Sequence, residues 1–423
     1  MSVKPKEKRI HSKSDITDTH SILSYGSNST KRSSNNSSKC HKKQFSNVQN
    51  KKQKDSTIIE NETIDENENY HIEFFSQTLS DKRKINQIRR ILSMPEIDIN
   101  NLKLKCCTGI PQQFSIFHAV IWKYLTEIYP CDKFNASKII KNRRLKYLKN
   151  REFYENSIKK INQLTQKNQD VYEQILKDVP RTMPNYPFFK TNIIQKMLIR
   201  ILYIWSLNNP DYSYVQGLND LCVPFVIIYF NEYCNKLSIE QLLLLTDEKI
   251  NAFPEKCLKE VEADIYSSFS FLLNKLKNNY INEQPAIKLM MKKLNNLIKI
   301  SDYEMYSHLN NNNLNNYNES TFEYAFEWFY CYFTRELNIK TLVYLWDCYL
   351  CGENTWNNLH IYVCKNILFD FKKEILNIKD YYDTIVYLQN LPLKYYDIDK
   401  IKKILDKSYK DKILYDDIIN TIV

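Results

Sequence analysis

Glycine is the scarcest informative residue in this 423-residue chain: there are four, Gly26, Gly109, Gly217 and Gly352. No two are neighbours, so neither a phosphate-cradling glycine loop nor a dinucleotide-binding fingerprint can be assembled. The same scarcity argues against many tight β-hairpins. Long apolar runs are also lacking. The longest, Leu221 to Phe230, covers ten residues, about half of what a membrane-spanning helix needs. The eleven cysteines show no framework spacing. Met1 to Ile10 is polar and basic, unlike a secretory leader, so the thiols are expected to be reduced in a cytosolic setting. Cys348-x-x-Cys351 lacks the second pair or flanking histidine that a zinc site requires. There is no Gly-x-Ser-x-Gly elbow and no His-Glu-x-x-His helix. A self-contained hydrolase site is therefore not expected, and no metal ligand set is assigned.

What is present is charge and apolar periodicity. The net charge is +11, but residues 1–60 carry thirteen Lys/Arg against five Asp/Glu, which leaves only +3 in the remainder. Residues 1–80 are rich in Ser, Asn, Lys and Thr and read as a low-complexity, disordered basic tail. Such a tail can touch an anionic membrane surface. It lacks the interleaved aromatic residues of a nucleic-acid binder, so no nucleic-acid partner is expected. From about residue 84 to the C-terminus, apolar residues recur at helical spacing. Ile193, Ile194, Met197, Leu198, Ile201, Leu202 and Trp205 give the strongest stripe. Further stripes run over 85–92, 116–125, 265–276, 286–300, 321–333, 340–350, 359–371 and 381–390. Strand-like alternation is hard to find, and the body reads as all-α. Pro180, Pro184 and Pro187 bound a segment that cannot be continuous helix, and Asn310 to Asn318 reads as a polar surface loop.

Two loops stand out. In Ile175-Leu176-Lys177-Asp178-Val179-Pro180-Arg181-Thr182, an arginine sits on backbone stiffened by proline. Such a guanidinium can spread over the charge that develops on a transferring phosphoryl group. The plainer reading is a surface arginine paired with Asp178. In Tyr214-Val215-Gln216-Gly217-Leu218-Asn219-Asp220, a glutamine precedes one of the four glycines. Its amide can accept from a water and donate to a phosphate oxygen at once. The plainer reading is an amide that satisfies loop backbone. Taken alone, each loop fits its plainer reading better.

Their conjunction changes the balance. Ile175, Asp178 and Arg181, followed some thirty residues on by Tyr214, Gln216 and Gly217, resemble the paired signature of the TBC family of Rab GTPase-activating proteins. Gly109-Ile110-Pro111 and Trp122 resemble the family's opening. Arg335-Glu336-Leu337, Leu345-Trp346-Asp347 and Leu388-Gln389-Asn390-Leu391-Pro392 resemble its later elements. The resemblance covers about 84–395 and looks most like the Golgi-associated subgroup.

The resemblance implies a two-lobed, wholly helical domain over 84–423 whose groove receives a Rab-type small GTPase in its GTP-bound state. It implies a dual-finger mechanism: Arg181 stabilises the transition-state charge, and Gln216 positions the attacking water. Asp178, Tyr214, Gly217 and Asn219 would support the loops, and Trp122, Trp346 and Asp347 would brace the core. Mg²⁺ and GTP would be carried by the partner, so no cofactor of the chain's own is implied. The chain would then activate another protein's site in vesicle traffic. It would be cytoplasmic, with peripheral association at Golgi or other secretory membranes through the partner or the tail. The alternative is a catalytically silent TBC module that serves as a Rab-binding adaptor; such modules commonly lack a finger, and here both are present. The chain departs from the family pattern in three places. His118 stands where the opening motif has arginine, Ser213 where glycine is frequent, and Ser267 where a subgroup tryptophan is common. The segment from Gly109 to Trp122 is also about three residues longer than usual.

Overall fold

A computed structural model describes residues 79–422 apart from 112–114, 161–163, 213, 235–236, 282, 311–318 and 353–354. The tail expected over 1–80, up to residue 78, lies outside the described residues, as do Ser213 and nearly all of the Asn310–Asn318 segment. Among the described residues there is no strand, only an isolated bridge between Glu96 and Asp132. The architecture is all-α, as the periodicity and the scarcity of glycine led one to expect.

The first half runs α1 (Leu79–Ser93), α2 (Ile99–Cys106), α3 (Ser115–Leu125), α4 (Ala136–Ile158), α5 (Gln166–Asp178), α6 (Pro187–Lys190), α7 (Asn192–Asn208), α8 (Val223–Tyr233), α9 (Ile239–Leu243), α10 (Asp247–Asn251) and α11 (Glu255–Lys275). The second half runs α12 (Lys277–Tyr280), α13 (Pro285–Ser301), α14 (Tyr303–Asn310), α15 (Glu319–Cys331), α16 (Ile339–Cys351), α17 (His360–Asp370), α18 (Lys372–Asn377), α19 (Tyr381–Gln389) and α20 (Ile398–Ile422). Local chemistry starts many of them. Thr165, Ser238, Asn338 and Asp380 each accept a hydrogen bond from a backbone N–H of the first turn, which satisfies a donor the helix cannot. Proline occupies the first turn of α6, α8 and α13, where its missing N–H costs nothing.

The helices sort into two lobes. In the first, α8 packs on α3 and α11, while α11 also receives α4 and α7. In the second, α13 is the hub for α14, α15, α17 and α20. The helix α16 joins them by touching α2, α3 and α8 on one side and α20 on the other. A buried charge network locks the first lobe. Lys123 reaches Glu232 at 2.5 Å and Asp264 at 3.0 Å. Arg144 grips Asp264 with two bonds of 2.9 and 2.7 Å. Glu262 accepts from Arg200, Arg151 and the Tyr147 hydroxyl. Pairing of this kind is what makes interior charges tolerable.

One stripe ends earlier than its periodicity suggests. The apolar spacing over 321–333 predicts helix to Phe333, but α15 stops at Cys331. Tyr332 and Phe333 take φ of 50° and 62°, a left-handed turn that ordinary residues adopt only under tertiary constraint. The constraint is visible: the Tyr332 hydroxyl donates to Asn357 Oδ1 at 2.8 Å, and its ring meets Trp356 edge-on. This turn redirects the chain toward the loop that carries Gln216.

Candidate functional site

The arginine loop begins where α5 ends. Asp178 is the last residue of α5, and Val179-Pro180-Arg181 form a single 3₁₀ turn. Thr182 leaves it in extended conformation, and Met183 follows at φ 46°. The proline-bounded segment is thus broken as expected, and Arg181 is delivered on a one-turn stub. Its side chain is 55% exposed, whereas Asp178 beneath it is 1% exposed. The Arg181 Nε and Nη2 both donate to Asp178 Oδ1, the former at 3.1 Å. The plainer reading of this arginine, a pair with Asp178, is therefore realised, but the pair is not a loose surface contact. Asp178 is a buried anchor, and it holds the guanidinium by one edge while the rest faces outward.

Asp178 also ties the second loop. Gln174 Nε2 donates to its Oδ1 at 3.0 Å, and the Tyr214 hydroxyl donates to its Oδ2 at 2.7 Å. Burial, followed by this bond to the carboxylate, pushes Tyr214 far above the ordinary tyrosine range, so it stays a hydrogen-bond donor. Tyr214 also donates to Asn219 Oδ1 at 3.3 Å, and Asn219 Nδ2 donates to Thr182 Oγ1 at 2.9 Å. The arginine loop and the glutamine loop are thus stitched together twice, through Asp178–Tyr214 and through Asn219–Thr182. Gln216 is exposed at the head of a tight turn, where Leu218 N donates to Val215 O and Asp220 N to Gly217 O.

Gly217 has φ +103°, and a Cβ there would lie 2.6 Å from Tyr330 Cε1. Glycine is thus needed both for its conformation and for close approach. All six residues named from the two motifs, Asp178, Arg181, Tyr214, Gln216, Gly217 and Asn219, fall in these two loops. The supporting set is wider than the sequence suggested. Thr182, Gln174, Asp220 and Arg335 take part, and Arg335 Nε donates to Asp220 Oδ2 at 2.7 Å. Burial pushes the Asp220 carboxyl up, and the Arg335 charge opposes it. Thr182 and Asp220 adjoin the motifs and could have been suspected. Arg335 lies 115 residues from Asp220, and only its place in the Arg-Glu-Leu element hinted at a role.

Two of the departures from the family pattern, His118 and Ser267, have defined partners. His118 Nε2 lies 2.6 Å from Asp347 Oδ1, and because a carboxylate only accepts, that nitrogen carries the proton. Trp122 Nε1 donates to the same oxygen at 2.7 Å, and the Ile110 N–H donates to Oδ2 at 2.9 Å. His118 is thus a satisfied helix residue, and Asp347 braces the chain's opening segment. Ser267 bonds back to the Ala263 carbonyl at 2.8 Å.

A two-lobed, all-α body that carries the paired motifs on two adjoining loops fits the TBC class of domain. The chain belongs to the Rab-GTPase-TBC domain family, whose pattern matches residues 116–376. Among its relatives, human TBC1 domain family member 22B is 28% identical over 343 residues, covering 81% of this chain and 64% of that protein. The GTPase-activating protein gyp1 of Schizosaccharomyces pombe is 30% identical over 334 residues, covering 78% of this chain and 61% of that protein. The chain therefore spans less than two thirds of the length of these relatives. The crystal structure of the Ypt/Rab-GAP domain of Gyp1p superposes with a TM-score of 0.71 at 27% identity, covering 79% of this chain and 99% of that one.

Proposed function

We propose that this protein accelerates GTP hydrolysis on a Rab-type small GTPase in its GTP-bound state by lending it two side chains, Arg181 and Gln216. The observation that supports this best is the stitching of the two loops, which leaves both side chains exposed over a buried, hydrogen-bonded frame. Preorganised donors of this kind cost no reorganisation when charge develops. The Arg181 guanidinium, held at one edge by Asp178, presents its remaining N–H groups to the charge building on the phosphoryl oxygens. The Gln216 amide oxygen accepts a hydrogen bond from the attacking water while its NH₂ donates to a phosphate oxygen, fixing the water in line. Mg²⁺ belongs to the partner's nucleotide, so the chain supplies no metal ligand. It completes another protein's active site. The resemblance to the Golgi-associated subgroup favours a partner in Golgi or secretory traffic; no helix among the described residues is long and apolar enough to cross a membrane.

An arginine finger is worth about 10³–10⁵ in rate, or roughly 4–7 kcal/mol of transition-state stabilisation. A part-exposed ion pair is worth about 0–1 kcal/mol to the fold. Arg181→Ala should therefore remove activation while leaving the melting temperature near that of wild type. The measurement is GTP hydrolysis by a panel of Rab GTPases with each protein. Wild type and Arg181→Ala behaving alike across the whole panel would refute the catalytic reading in favour of a silent Rab-binding adaptor. Activity that survives Gln216→Ala, on a GTPase whose own glutamine is intact, would reduce the mechanism to a single finger.

A further inference from the structure

The glutamine loop is braced from outside the paired motifs. Gly217 lies flat against the Tyr330 ring, which is itself stacked on Phe326 and set edge-on to Tyr280. Three residues after Gly217, Asp220 receives Arg335 Nε at 2.7 Å. The Arg335 guanidinium also pairs with Glu327 on α15, so it is held from two directions. Asp220 is 6% exposed and Arg335 40%. A part-exposed guanidinium meeting a nearly buried carboxylate ties the Asp220 end of the turn 215–220 to α15. The other Asp220 oxygen accepts from Asn219 Nδ2 at 3.1 Å, and the same amide reaches Thr182, next to Arg181. A continuous set of polar contacts therefore runs from Glu327 through Arg335, Asp220 and Asn219 to Thr182 in the arginine loop, and Gln216 sits in the turn that the Asp220 N–H closes on Gly217 O.

We propose that Arg335 is a positioning residue for Gln216, setting the register of its turn through Asp220 and, through Asn219, linking that register to the Arg181 loop. The proposal rests on the reading of Gln216 as a finger. It explains why an arginine more than a hundred residues from either motif meets a nearly buried aspartate there. Arg335 touches no reacting atom. Its effect is on where the amide points, and a misplacement of about 1 Å far from the chemistry can cost about 10²-fold in rate.

The full-length chain carrying Arg335→Met, Arg335→Lys or Asp220→Asn is compared with wild type in two ways. Amide hydrogen exchange needs no partner. In Arg335→Met and Asp220→Asn, exchange over 214–221 should quicken while α7 and α16 keep wild-type protection. Single-turnover hydrolysis is then measured on a Rab GTPase that wild type accelerates. For Arg335→Met the saturated rate should fall by about 10²-fold with the half-saturating concentration little changed, and Arg335→Lys should recover most of it. Gln216→Ala should cost far less in the Arg335→Met background than in wild type. Unchanged exchange over 214–221 in both Arg335→Met and Asp220→Asn overturns the proposal. So does a Gln216→Ala penalty of the same factor in both backgrounds. A wild type that accelerates no GTPase defeats the finger reading instead, and the exchange comparison still decides whether Arg335 holds the turn.

Discussion

Gly217 shows how much of the candidate site is decided atom by atom. Its φ of +103° strains any residue with a side chain, and the nearest carbon of Tyr330 leaves no room for a methyl group. That ring cannot swing aside, because Phe326 and Tyr280 hold it on two sides, and the Tyr280 hydroxyl donates to the Tyr330 carbonyl at 2.8 Å. Gly217→Ala should therefore cost about 1–3 kcal/mol in chemical denaturation, and the surviving folded protein should lose activation because Gln216 is its immediate neighbour. A stable, fully active Gly217→Ala protein would mean that the turn is slack. Asp178 works differently. Each of its oxygens already has donors, so it acts as a fixed negative point around which both loops are hung. Arg181 and Gln216, by contrast, are exposed, and under the proposed mechanism they need only be aimed.

At the scale of the element, a buried carboxylate ties α16 to the first lobe. Asp347 accepts from the Ile110 backbone, from His118 and from Trp122. Asp347→Asn keeps one oxygen for the two α3 donors but turns an NH₂ toward the Ile110 N–H. One buried donor is then unsatisfied, worth about 1–3 kcal/mol. The melting curve should drop by that amount, and activation per folded molecule should hold because neither finger loop touches Asp347. These partners also mark where sequence reading stops. The helices themselves were legible from apolar period, proline and cap chemistry, and the two loops that carry Arg181 and Gln216 stood out by their motifs. The bond between His118 and Asp347 spans 229 residues, and nothing local in either segment announces it. The same is true of Arg335 with Asp220. The left-handed residues Met183, Tyr332 and Phe333 carry no glycine to signal a turn, since their conformations are imposed by tertiary contacts. What a short window cannot hold is a contact whose two halves lie far apart in the sequence.

Across the whole molecule, buried titratable groups set how stability follows pH, and two of them oppose each other. His360 donates from Nε2 to the Trp328 carbonyl at 2.9 Å and accepts at Nδ1 from Tyr349 at 2.7 Å. Burial holds it down at about 3, against an ordinary 6.5. The unfolded chain takes up that proton first, so this contribution is full above about 6.5 and is lost as pH falls toward 3. Glu336 is the reverse case. Burial first, and then the negative charge of Glu327, push it up to about 7 from an ordinary 4.5, and its buried Oε2 has no partner among the described residues. Its contribution is full below about 4.5 and is lost as pH rises through 7. The two slopes oppose over roughly 4.5–6.5, so the wild-type melting temperature should be nearly level there. Below about 4.5 it should fall, because the His360 slope is then unopposed and the unfolded chain also begins to take up the proton that Lys123 and Arg144, against burial, keep off Asp264 in the folded state. Glu336→Gln removes one of the two slopes. That variant should melt at progressively higher temperature than wild type as pH rises from 5 to 8, and its curve should climb between about 4.5 and 6.5 where wild type is flat. Parallel curves for the two proteins over this range would show that Glu336 is charged and solvated in the folded state, and that the loop joining α15 to α16 is more open than its packing implies.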